Sequence, residues 1–91
     1  MKRAVKLSIS GSVQGMFFRQ FIKDSADKAG VKGFVRNLED GRVEVFAEGN
    51  NPNVDQMIEI CRIGPKHARI KSVEEKEERL QDFKEFKILR F

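Results

Sequence analysis

Within its first thirty residues the chain changes its apolar period, and that change dictates the architecture. Val5, Leu7 and Ile9 recur at every second position, with Lys6, Ser8 and Ser10 between them. This alternation predicts a half-buried strand over residues 3–10. After a loop bracketed by Gly11 and Gly15, residues Phe18, Phe21, Ile22, Ser25, Ala26 and Ala29 follow helical spacing, with Lys23, Asp24, Asp27 and Lys28 largely opposite. Gly30 supplies the C-terminal stop. A strand whose next element is an amphipathic helix must bury that helix on its own sheet, which begins a crossover unit.

A hairpin and a second crossover follow. Val31 to Leu38 reads as a second strand, Glu39-Asp40-Gly41 as a tight turn, and Val43, Val45 and Ala47 as one face of a third strand. Asn51-Pro52 opens a second helix, with asparagine as cap and proline in the first turn. Val54, Met57, Ile58 and Cys61 give that helix its buried stripe, and Gly64-Pro65 closes it. Ile70 to about Glu75 is a fourth strand, and Phe86 with Ile88 a short fifth. Two right-handed crossovers joined by a hairpin predict an α+β, ferredoxin-like sandwich: βαββαβ with a short extra C-terminal strand, an antiparallel sheet and two helices on one face. Residues 1–91 are expected to form a single domain.

In this topology the first and second strands run parallel with the third between them, so their C-terminal ends share one edge of the sheet. The first strand leads into the loop 11–18 and the second ends at Asn37-Leu38. Arg19 and Asn37, eighteen residues apart, should therefore meet at one cleft. The chemistry at that edge is legible. Glycine lets backbone turn tightly beside a ligand. A helix start presents unpaired N–H groups and a positive dipole end. Arg19 adds a guanidinium, and the three together suit a doubly charged phosphate or a carboxylate.

Composition removes several alternatives. No run approaches the roughly 20 apolar residues of a membrane span, so no membrane partner is expected. The N-terminal residues alternate, with no secretory signal visible. One cysteine, Cys61, excludes an internal disulfide and a multi-cysteine metal site, and a reducing, cytoplasmic setting is expected. A net charge of +4 favours anions but falls short of a nucleic-acid footprint. The chain also lacks a nucleoside-triphosphate loop of the Gly-x-x-x-x-Gly-Lys-Ser/Thr type.

Two stretches carry a resemblance. Ile9-Ser-Gly-Ser-Val-Gln-Gly-Met-Phe-Phe-Arg19 resembles the first signature of acylphosphatases, and Gly33-Phe-Val-Arg-Asn37-Leu-Glu-Asp-Gly41-Arg-Val43, with Gly49 after it, resembles the second. Length, element order and Gly64-Pro65 are also similar. Met16 stands where the family usually has valine; methionine is apolar and adaptable, so the loop should keep its shape. The resemblance implies hydrolysis of the carboxyl–phosphate anhydride of small acyl phosphates, with inorganic phosphate as product and competitor. It implies that Arg19 holds the phosphate, that backbone N–H groups of Gly15, Met16, Phe17, Phe18 and Arg19 cradle it, and that Asn37 orients the attacking water. No metal, no cofactor and no nucleic acid enter this scheme, and a monomer suffices.

Other conspicuous residues have plainer readings. Gln14 either shapes the cradle or is a surface glutamine. Phe18 and Phe34 read as core, His67 as surface, Cys61 as inert packing, Asp24 and Asp27 as a solvated face, and Asp40 as part of the hairpin turn. The rival functions are a non-catalytic anion-binding module and an RNA-binding module on the same fold. The latter needs several aromatics on one sheet face, and the third strand offers Phe46 as its outward aromatic.

Overall fold

The alternating N-terminal segment forms β1 (Lys2–Gly11), and the helical spacing after it forms α1 (Met16–Ala29). These are followed by β2 (Lys32–Asn37), β3 (Val43–Asn50), α2 (Asn51–Ile63), β4 (Ile70–Glu78) and β5 (Phe86–Ile88). The structure is a computed structural model and describes residues 1–90. The strands make one sheet in the order β4-β1-β3-β2-β5. Four of them pair antiparallel as expected: β1 with β3 and β4, and β2 with β3. The fifth corrects the expectation of an antiparallel sheet, because β5 pairs parallel to β2. The reason is directional. β4 runs opposite to β1 and so ends at the edge where β2 begins. The chain crosses there to the far side of the sheet and enters β5 pointing the same way as β2.

Both helices lie on one face. α1 buries Phe18, Ile22, Ala26 and Ala29, and α2 buries Val54, Met57, Ile58 and Cys61, against Val5, Leu7, Ile9, Val35, Val43 and Val45 of the sheet. Removing this apolar surface from water is the main term holding the two layers together. α1 stops at Gly30, whose left-handed conformation (φ 75°, ψ 25°) turns its N–H back to the carbonyls of Ala26 and Asp27. The start of α2 differs from expectation. Asn50, not Asn51, occupies the cap position, and its side chain makes no capping bond. β3 runs straight into the helix, and the Asn51 N–H is satisfied by the Met1 carbonyl at 2.9 Å.

The helix-free face has its own cover. Phe34 belongs here and not to the helix–sheet core: its ring stacks on Phe46 at 5.7 Å, and Phe83 packs edge-on against the pair. The segment carrying Phe83 is clamped to the sheet by Glu48. That carboxylate accepts the backbone N–H groups of Gln81 (2.7 Å) and Phe83 (2.6 Å). Phe46 is consequently only 2% exposed, so the rings an RNA-binding sheet would offer to bases are occupied by the protein itself.

Candidate functional site: an anion recess at the head of α1

Direction places the site. α1 runs back along the sheet from the end of β1 to the start of β2, so its first turn sits over the C-terminal ends of β2 and β5, with which it packs. Gly15 is the cap residue, with φ 99° and ψ 169°. A side chain rarely tolerates that φ, and open space beyond its Cα leaves the backbone approachable. The first turn contains no acidic residue and no side-chain cap. Among the described residues, the N–H groups of Gly15, Met16, Phe17 and Phe18 have no backbone partner, whereas the Arg19 N–H closes the first helical turn onto the Gly15 carbonyl at 3.4 Å. Of the five amides expected to cradle an anion, four are unspent and Arg19's is already engaged.

Arg19 also bends its Nε back to the Gly15 carbonyl at 3.3 Å. This contact fixes the guanidinium over the loop and leaves both terminal nitrogens for a ligand. Asn37 ends β2 on the neighbouring side. Its Oδ1 is closed off from bulk solvent and accepts no hydrogen bond among the described residues. A buried acceptor left without a donor costs about 1–3 kcal/mol, and such a cost survives where a site uses it. Arg19 and Asn37 line one recess of about 470 Å³ together with Met16, Leu89 and Arg90. The convergence expected from the topology is present.

The loop ahead of α1 is held from several sides. Val13 is fully buried, the Ser12 N–H donates to the Arg69 carbonyl at 2.8 Å, and Gln14 Nε2 donates to the Gly41 carbonyl. Of the two readings left open for Gln14, the structure favours the one that shapes the cradle. Phe18 anchors the first helical turn in the core, while Phe17, 72% exposed, points away from it.

Leu89 and Arg90 were not among the expected site residues. The signal that could have found them is the parallel pairing of β5 on β2, which carries the chain's end to the same edge. The other residues behave as read. His67 is exposed and lies outside the recess. Asp24 and Asp27 accept from Gln20 (2.9 Å) and Lys23 (2.8 Å) on the solvated side of α1, where the latter bond raises the Lys23 pKa. Asp40 accepts the Arg42 N–H and Nε in the turn, and these bonds, the backbone one foremost, hold its carboxyl below the usual range. Cys61 is fully buried, and burial pushes its thiol up to about 12. No helix among the described residues is long and apolar enough to cross a membrane.

Fold and site together define a ferredoxin-like α+β sandwich with unpartnered amides and a guanidinium at the head of its first helix. The acylphosphatase family model matches residues 5–88. An acylphosphatase from Acaryochloris marina is 45% identical over 86 residues, covering 94% of this chain and 92% of that protein. Among solved structures, an acylphosphatase from Bacillus subtilis superposes with a TM-score of 0.91 at 32% identity, covering 99% of this chain and 100% of the other. One from Coxiella burnetii gives 0.91 at 30% identity, covering 97% and 93%. The chain belongs to the acylphosphatase family, hydrolases that act on acid anhydrides.

Proposed function

We propose that this protein hydrolyses small acyl phosphates by in-line attack of water on phosphorus, releasing a carboxylate and inorganic phosphate. The observation that carries this reading is the pairing of Arg19, with two unspent guanidinium nitrogens, and Asn37, with an unpartnered carbonyl oxygen, in one recess. The amides of Gly15, Met16, Phe17 and Phe18 and the Arg19 fork bind the phosphoryl oxygens and neutralise their charge. The Asn37 carbonyl accepts a hydrogen bond from the attacking water and so aims the water's lone pair at phosphorus. Rotation about the soft terminal torsion of asparagine suffices to bring that oxygen to the cleft. A phosphoryl oxygen of the substrate takes the water's proton as the P–O bond to the acyl group breaks. The leaving carboxylate is a weak base and departs without protonation.

Neither Arg19 nor Asn37 is a base near neutrality, so the rate enhancement rests on positioning and charge stabilisation. The scheme uses no metal. The reading takes the protein as a monomer, and the buried lone thiol suits the reducing cytoplasm. The deciding experiment is hydrolysis of benzoyl phosphate in 18O-labelled water with a chelator present and inorganic phosphate as competitor. Label is expected in phosphate. Label in benzoate would move the attack to the carbonyl carbon and dismiss the role given to Asn37.

A further inference from the structure

The recess holds a second cation that phosphate binding does not require. β5 pairs with β2 in parallel register, Gly33 beside Phe86 and Val35 beside Ile88. The ladder continues past β5, since the Leu89 N–H donates to the Val35 carbonyl at 2.9 Å. Carried two residues further, the same register sets Arg90 level with Asn37. Arg90 accordingly lines the same recess as Arg19. Its side chain makes no hydrogen bond or ion pair among the described residues, which leaves the fork open toward the recess. Among the described residues no carboxylate lines the recess beside the two guanidiniums, and Met16 and Leu89 add apolar surface to it.

We infer that Arg90 is a specificity-determining residue of this cleft, selecting acyl phosphates whose acyl group ends in a second carboxylate. The inference rests on the hydrolytic reading above. With the phosphoryl group on Arg19 and the amide cradle, the acyl chain extends along the recess over Met16 and Leu89. A short methylene chain buries against that surface, and its terminal carboxylate meets the Arg90 fork, a geometry that guanidinium matches with two parallel hydrogen bonds. The preferred substrates are therefore monophosphoryl anhydrides of short dicarboxylic acids. Because Arg90 is exposed, solvent screens the pair, and the preference amounts to roughly 3–10-fold at low salt, shrinking as ionic strength rises.

The test separates binding from turnover. Calorimetry compares two inert probes: the phosphonomethyl ketone analogue of succinyl phosphate, with CH2 replacing the bridging oxygen, and the same ketone ending in methyl. The wild type is expected to bind the carboxylate-tailed probe roughly 3–10-fold tighter, Arg90→Gln to bind both alike, and Arg90→Lys to keep part of the difference. A wild type with no preference, or a preference intact in Arg90→Gln, overturns the inference. So does an equal loss of both probes in Arg90→Gln, which would put Arg90 on the phosphoryl group. Wild-type failure to hydrolyse either benzoyl or succinyl phosphate would dismiss the hydrolytic reading on its own, since the affinity ratio is read without turnover.

Discussion

Gln14 donates its side-chain amide to the Gly41 carbonyl, joining the loop ahead of α1 to the turn between β2 and β3. The loop leads into the helix that carries Arg19 and the turn follows the strand that ends at Asn37, so this hydrogen bond helps to set the spacing across the recess. An exposed neutral hydrogen bond contributes only about 0.5–1.5 kcal/mol to stability, but a misplacement near 1 Å can cost on the order of 10²-fold in rate. Gln14→Ala is expected to lower kcat/KM for benzoyl phosphate by roughly tenfold while the thermal midpoint moves by only a few degrees. Unchanged kinetics in that variant would reduce the contact to surface decoration.

Arg19 spends its Nε on the Gly15 carbonyl and keeps the two terminal nitrogens for the ligand. Lysine preserves the charge but offers a point cation on a flexible stem, with neither the internal anchor nor the planar fork. Arg19→Lys should lose roughly 10²-fold or more in kcat/KM, and inorganic phosphate should inhibit it far more weakly than the wild type. Near-native inhibition by phosphate would show that charge alone binds the anion.

Asn37 lies outside the amide cradle, and its buried oxygen accepts no hydrogen bond among the described residues. Asn37→Ala is expected to retain the inhibition constant for inorganic phosphate and to lose kcat by roughly 10²–10³, the size of a missing oriented dipole in acyl transfer. The opposite split, weak phosphate binding with turnover intact, would give Asn37 to binding instead of to the water.

The reach of the sequence differed from element to element. β1, α1 and α2 were legible because each has one buried face with the period of its element, and Arg19 and Asn37 followed from topology once β1 and β2 ran parallel. The end of β4 was underestimated because Glu74 to Glu78 is a charged run without apolar alternation. It extends all the same because β4 is an edge strand, paired with β1 on one side only. Arg90 escaped for a related reason: three residues of β5 carry too short a pattern to reveal that they lie parallel to β2. Phe34 was misassigned because a strand's period tells which residues share a face but not which face the helices cover.

Glu48 is the buried carboxylate that fastens the segment carrying Phe83 across the open sheet face, by two short bonds to the Gln81 and Phe83 amides. Hydrogen bonds to a charged acceptor contribute about 1.5–3 kcal/mol each, and both donors would be left without it. Glu48→Ala is expected to destabilise the fold by about 2–4 kcal/mol in urea titration, and hydrogen exchange at the Gln81 and Phe83 amides should accelerate well beyond the global change. Exchange that rises only in step with global unfolding would mean the ring cluster of Phe34, Phe46 and Phe83 holds the segment by itself.

Cys61 links the helix–sheet core to pH. Its thiol is fully buried and held up to about 12 by desolvation, whereas an unfolded thiol titrates near about 8.5. The sign follows from proton counting. Above the unfolded value the denatured chain gives up this proton and the native one keeps it, so the denatured state gains the advantage. Stability from this group is intact below about pH 8.5 and declines by about 1.4 kcal/mol per pH unit until the folded value is reached. At about pH 10 the penalty amounts to about 2 kcal/mol relative to neutrality. Urea titrations of wild type and Cys61→Ala between neutrality and about pH 10 isolate the effect, because other titrating groups are common to both. The wild type is expected to lose that margin relative to the variant, and its thiol should resist disulfide reagents until the chain unfolds. Parallel stability curves for the two proteins would mean that the native thiol ionises as readily as a solvated one, and that the packing of α2 on the sheet admits water.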